Sequence, residues 1–188
     1  MRILMLGNSF TYYNDMPRLL AVLLDAEVVA HTRGGAYLLE HLNPESELGS
    51  QTLKALSEEK WDYVILQEQS KAPIFEKEQF MDSIHKLCKL IRSAGAKPVL
   101  YATWAYRDES EKLKSTQLTH KQMFDGLFES YHKAAEKEAA LVADVGKAFF
   151  EAKDIVDLYM QDDFHPSQAG SMLAAALLAQ TIGADRQK

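Results

Sequence analysis

Short apolar runs alternate with amphipathic segments along the chain, and this alternation limits the possible folds more than any other feature of the sequence. Residues 3–6, 27–32, 63–66, 98–103 and 141–145 read as brief strands. Helical patterns fall at 16–24, from about 38, and at 52–57, 76–94, 122–139 and 167–182. The clearest is 76–94, with apolar residues at 80, 81, 84, 87, 88 and 91 on one helical face and Gly95 placed to end it. Strands separated by helices are joined by right-handed crossovers, which give a parallel sheet covered on both faces. Five of them predict an α/β fold: a three-layer α/β/α sandwich on a flavodoxin-like five-stranded parallel sheet, order 2-1-3-4-5. The chain has 188 residues and no repeat, low-complexity tract or linker, so residues 1–188 are expected to form one domain. Residues 43–50 read as a loop, and the charged stretch 107–117 as a mobile loop beside the site.

Composition narrows the partners. A net charge of -6 argues against nucleic acid and anionic membrane surfaces. No stretch approaches the roughly 20 apolar residues of a membrane span. The apolar start, residues 1–7, is too short for a signal peptide, so a cytoplasmic location is expected unless a leader precedes this sequence. The single cysteine, Cys88, shares a helical face with Ile84, Leu87 and Ile91, which fits a buried apolar residue better than a reactive thiol.

In such sheets ligands bind at the carboxyl ends of the strands, so the residues just after each strand carry the functional signal. Gly7-Asn8-Ser9 follows the first strand. A small residue before a serine at a strand-to-helix turn presents the hydroxyl at the sheet edge, although Ser9 could equally cap the helix. Near the other end stands Asp162-Asp163-Phe164-His165-Pro166, with Pro166 suited to open the last helix. A carboxylate three residues before His165 can reach one imidazole nitrogen and leave the other free to take a proton from a serine. Asp163 competes with Asp162 for that role. No His or carboxylate cluster supplies a metal set, and one glycine after the first strand makes no phosphate loop, so neither metal nor cofactor is expected.

These blocks, in this order, resemble those of the SGNH hydrolase superfamily, the GDSL-like lipases and acylhydrolases. The resemblance implies a Ser9–His165–Asp162 triad. It also implies an oxyanion hole built from the amides of Ser9 and Gly35, the latter in Gly34-Gly35 after strand two, and a side-chain amide after strand three. That family's third block reads Gly-x-Asn-Asp; here Gln67-Glu68-Gln69-Ser70 stands instead, giving Gln69 as the donor and Gln67 as the fallback. Trp104, Tyr106 and Arg107 after strand four, with Tyr12, Tyr13 and Tyr37, are candidate substrate contacts. The implied activity is a serine esterase acting through an acyl-enzyme on a small-molecule or carbohydrate ester, with short-acyl (acetyl) esters favoured. A thioesterase or lysophospholipase on the same site, and a non-catalytic acyl-glycan-binding module, are the alternatives. The oligomeric state stays open, since the apolar last helix could pack inside or face a twin.

Overall fold

Five parallel strands form one sheet in the order β2-β1-β3-β4-β5 in the computed structural model of the protein, which describes residues 1–187. They are β1 (Arg2–Gly7), β2 (Glu27–Thr32), β3 (Tyr63–Leu66), β4 (Lys97–Tyr101) and β5 (Leu141–Ala143). Central β1 pairs with β2 and β3, so that Leu6 lies opposite both His31 and Leu66. Successive side chains on a strand point to opposite faces, and Ile3, Leu4, Met5 and Leu6 are all fully buried. Both faces of the sheet are therefore covered, the reason its strands read as unbroken apolar runs.

The helices are α1 (Ser9–Tyr12), α2 (Met16–Leu24), α3 (Glu47–Glu58), α4 (Ala72–Phe75), α5 (Lys77–Ser93), α6 (Glu111–Lys114), α7 (His120–Glu138), α8 (Val145–Ala152) and α9 (Gln168–Arg186). Helix α2 packs along α9, and α5 against α7. Helix α5 buries Phe80, Ile84, Leu87, Cys88 and Ile91 on the expected stripe. Burial pushes the Cys88 thiol up to about 12, which leaves it protonated and inert at neutral pH.

Two local expectations are corrected. Residues 43–50 are not all loop, because α3 starts at Glu47 with Ser46 Oγ accepting the Gly49 N–H at 3.0 Å. Gly49 lies so close to the Asn43 carbonyl that a side chain there would collide with it. A glycine in the first turn, required by that contact, hid the helix start. Residues 107–117 are not a free loop either. Ser110 caps α6 by accepting the Leu113 N–H at 3.1 Å, and Leu113 is buried in the core.

Candidate active site

The carboxyl end of β1 builds the first part of the site. Asn8 caps α1: its Oδ1 accepts the Phe10 N–H at 3.1 Å, and its Nδ2 donates to the Ala36 carbonyl at 2.9 Å. Because Asn8 takes the cap, the Ser9 hydroxyl is spared that task and donates instead toward His165 Nε2, 2.8 Å away. Gln67, fully buried after β3, holds this turn from below. Its Oε1 accepts the Asn8 N–H and the Thr11 hydroxyl, each at 2.9 Å. Gly7 leaves the room for it, since a Cβ at that position would lie 2.6 Å from Gln67 Oε1.

His165 sits on the loop before α9. Its Nδ1 lies 2.6 Å from Asp162 Oδ2, while Asp162 Oδ1 accepts the backbone N–H groups of His165 (3.0 Å) and Phe164 (3.3 Å). An ionised carboxylate only accepts, so Nδ1 carries the proton and Nε2 is left as the acceptor facing Ser9. Burial by itself would raise the Asp162 carboxyl. The bonds from the His165 ring and the two amides outweigh it and hold the group below the ordinary carboxylate range. Asp163 turns away at φ 67° and pairs with Arg107, its Oδ1 2.7 Å from Nε. The two neighbouring acids thus divide their work, one on the imidazole and one on the loop anchor.

The imidazole is boxed in by rings. Tyr13 stacks on it at 4.2 Å and Phe164 lies tilted at 4.0 Å. Asn14 then fastens its loop to the serine turn, donating to the Pro166 carbonyl and to Ser171 Oγ, each at 2.9 Å.

The three N–H donors expected to form the oxyanion hole have no hydrogen-bond partner among the described residues. Two are the backbone amides of Ser9 and Gly35, the latter at φ 70° in a turn closed by the Ala36 N–H on the Arg33 carbonyl. The third is the Gln69 side-chain amide. Its Oε1 accepts the Lys71 N–H at 3.0 Å, which fixes the amide orientation and leaves Nε2 free. Gln67, the fallback donor, is corrected here: its Nε2 is spent on the Glu68 carbonyl.

The contacts expected after β4 are also corrected. Trp104 is fully buried between Phe10 (4.6 Å) and Phe149 (4.1 Å), and its indole N–H donates to the Phe164 carbonyl at 3.0 Å. It props the serine and histidine segments from beneath and offers no surface to a ligand. Tyr106 is buried against Ser70, their oxygens 2.7 Å apart. Arg107 is taken by Asp163 and by Asp157 at 2.8 Å, so its charge is spent inside the protein. Tyr12 is exposed and stacks on Tyr13 at 5.5 Å, while Tyr37 is half-buried with its hydroxyl donating to Glu76. Among the described residues no group of three or more His, Cys, Asp or Glu side chains could hold a metal ion, and no helix is long and apolar enough to cross a membrane. Sequence reasoning missed Asn8, Asn14 and Phe164 as parts of the site. Only Asn8, a cap-type residue before a helix, carried a readable signal.

A parallel sheet with a serine–imidazole–carboxylate chain at its carboxyl edge defines a class, the serine hydrolases on a flavodoxin-like frame. No protein-family model matches the chain, and no curated protein matches it. Solved structures do. A protein from Slackia heliotrinireducens assigned to the SGNH hydrolases is 47% identical, with a TM-score of 0.93 over 97% of this chain and 99% of that one. The chain belongs to the SGNH hydrolase superfamily and is an SGNH-type serine hydrolase. Its fold is shared with Axe2, an acetylxylan esterase from Geobacillus stearothermophilus, at 18% identity and a TM-score of 0.66, covering 97% of this chain and 94% of that one. It is also shared with a GDSL-like lipase family protein from Parabacteroides merdae, at 14% identity and a TM-score of 0.76, covering 97% and 95%.

Proposed function

We propose that the protein hydrolyses carboxylic esters through an acyl-enzyme on Ser9, with His165 as base and Asp162 as its orienting acid. The observation that carries this reading is the unbroken path Ser9 Oγ–His165 Nε2, His165 Nδ1–Asp162 Oδ2, at 2.8 and 2.6 Å. His165 takes the Ser9 proton as the oxygen attacks the ester carbonyl, then returns a proton to the departing alcohol. Water, activated by the same imidazole, releases the acid. The amides of Ser9 and Gly35 and the Gln69 carboxamide receive the oxyanion. Losing one such donor typically costs about 3 kcal/mol of transition-state stabilisation.

The favoured substrates are acetyl and other short-acyl esters of carbohydrates or small molecules. Support comes from the shared fold with an acetylxylan esterase and from the exposed ring of Tyr12 beside the serine turn. A fluorophosphonate probe is expected to label the wild type and not Ser9→Ala, with p-nitrophenyl acetate turned over faster than long-chain esters. Equal labelling of both proteins would remove Ser9 as the nucleophile. A preference for long acyl chains or thioesters would move the substrate to the lysophospholipase or thioesterase reading, and absence of both labelling and turnover would leave a binding module.

A further inference from the structure

We infer that Glu68 is a positioning residue of the esterase site, its buried carboxylate tying the loop that carries Gly35 to the loop that carries Gln69. The inference rests on the proposed esterase reading for its kinetic consequence. Its structural part stands separately.

Glu68 lies between Gln67 and Gln69, directly after β3, and none of it is exposed. A single oxygen, Oε1, accepts two backbone N–H groups from different parts of the chain: Leu38 at 3.0 Å and Gln69 at 2.7 Å. Leu38 is three residues beyond Gly35 and opens the short 3-10 turn Leu38–Leu42, while Gln69 supplies the side-chain donor of the hole. The two outer donors are thus spaced by one carboxylate. The Glu68 backbone N–H in turn donates to the Tyr131 hydroxyl at 3.4 Å, which anchors this strut to α7. The other oxygen, Oε2, has no hydrogen-bond partner among the described residues.

A buried carboxylate without a cation is costly, and among the described residues this one has no ion-pair partner to offset the cost. The groups facing it are the carboxyls of Glu40 within the 3-10 turn and Glu76 at the start of α5, with the phenols of Tyr37 and Tyr131. Glu40 is already paired with Arg33, and Glu76 accepts from Tyr37. A glutamine would meet both N–H groups without a charge, so packing alone does not explain the acid. Bonds from N–H to an ionised oxygen are roughly twice as strong as those to a neutral one, and this is what a carboxylate adds. Burial first, then the Glu76 and Glu40 charges, push Glu68 up to about 7 against the pull of its two N–H bonds. The tie between the loops therefore tightens as Glu68 ionises around neutral pH.

The test compares Glu68→Ala with Glu68→Gln, which keeps an acceptor where Oε1 stands. We expect Glu68→Ala to lose on the order of tenfold to a hundredfold in kcat, with KM changed by less than about threefold, since donors misplaced by a fraction of an ångström act on the transition state. Glu68→Gln should recover most of that loss and lack one ionisation near neutrality in its kcat profile. In Glu68→Ala the backbone amides of Leu38 and Gln69 should exchange with deuterium at least tenfold faster, while those of β1 and β3 keep their protection. If Glu68→Ala lowers the melting temperature but keeps wild-type kcat per folded molecule, or if Leu38 and Gln69 keep their protection, the inference fails. A wild type without Ser9-dependent turnover would sink the esterase reading, and the exchange data would still decide whether Glu68 joins the loops.

Discussion

Asn14 offers the sharpest test of how the histidine is held. It and Asp15 both adopt left-handed backbone, each at φ 54°, in the turn between α1 and α2. Asparagine tolerates this region better than other side-chain-bearing residues, while alanine pays about 1–2 kcal/mol there. Replacing Asn14 with Ala also removes two hydrogen bonds, to the Pro166 carbonyl and Ser171 Oγ, worth about 1 kcal/mol each. The sum is a loss of about 3–4 kcal/mol. Asn14→Gly loses the same bonds without the backbone strain but gains unfolded-state entropy worth about 0.5–1 kcal/mol, so it should lose about 2.5–3 kcal/mol. Urea unfolding followed by circular dichroism measures both, with an unchanged m-value required for the comparison. Pro166 directly follows His165, so both variants should also cut kcat about tenfold or more as the imidazole drifts from Ser9. If glycine were the more damaging replacement, or if either variant kept wild-type kcat, the clamp as described would be wrong.

Asp162→Asn should lower turnover far more than Asp163→Asn, whose main effect should be a looser loop and a stability loss of about 0.2–1 kcal/mol from the broken, partly exposed Arg107 pair; steady-state kinetics of the two variants side by side decides it. Trp104→Ala should cost about 3–5 kcal/mol of stability through the cavity between Phe10 and Phe149, with the KM of the folded fraction unchanged; a selective rise in KM would return Trp104 to the substrate wall. His41, fully buried with Nδ1 2.9 Å from Thr52 Oγ1, is pushed down to about 4, chiefly by desolvation. Between about pH 6.5 and 4 the unfolded chain binds a proton there that the folded chain refuses, so stability falls as pH drops through that window, by about 3 kcal/mol in all. Glu68, raised rather than lowered, works in the opposite sense, since its ionisation costs stability as pH rises from about 4.5 to 7. The stability difference between wild type and His41→Gln, measured at each pH, isolates the histidine, and a difference that stays flat from pH 7 to 4 would contradict it.

Much of this was legible in the sequence for physical reasons. Strands buried on both faces are continuous apolar runs, so all five could be located and the sheet order anticipated. Ser9 and His165 were visible because a strand end and a helix start bracket them. What could not be read depended on contacts remote in sequence. Gln67 and Gln69 are two residues apart, so strand alternation could not choose between them; the choice came from what each amide already bonds. Asp162 was favoured over Asp163 by its three-residue spacing from His165, but the role Asp163 takes instead, pairing with Arg107, depends on a residue more than fifty positions earlier. Trp104 and Tyr106 follow a strand end, where aromatic rings can line a cleft or fill the floor beneath it; the ring of Phe10 on Trp104 and the Ser70 hydroxyl on Tyr106 decided for the floor. The start of α3 was masked by Gly49, a poor helix former kept there by the Asn43 carbonyl.

Since Asn8 rather than Ser9 starts α1, taking the hydroxyl from position 9 removes one bond to His165 and leaves the turn itself intact. An alanine variant there should be a faithful cast of the resting protein, with every supporting contact in place and only the proposed nucleophile missing. On the proposed mechanism such a protein should hold intact esters unreacted when soaked with them, which makes the identity of the natural substrate a question for crystallography as much as for kinetics.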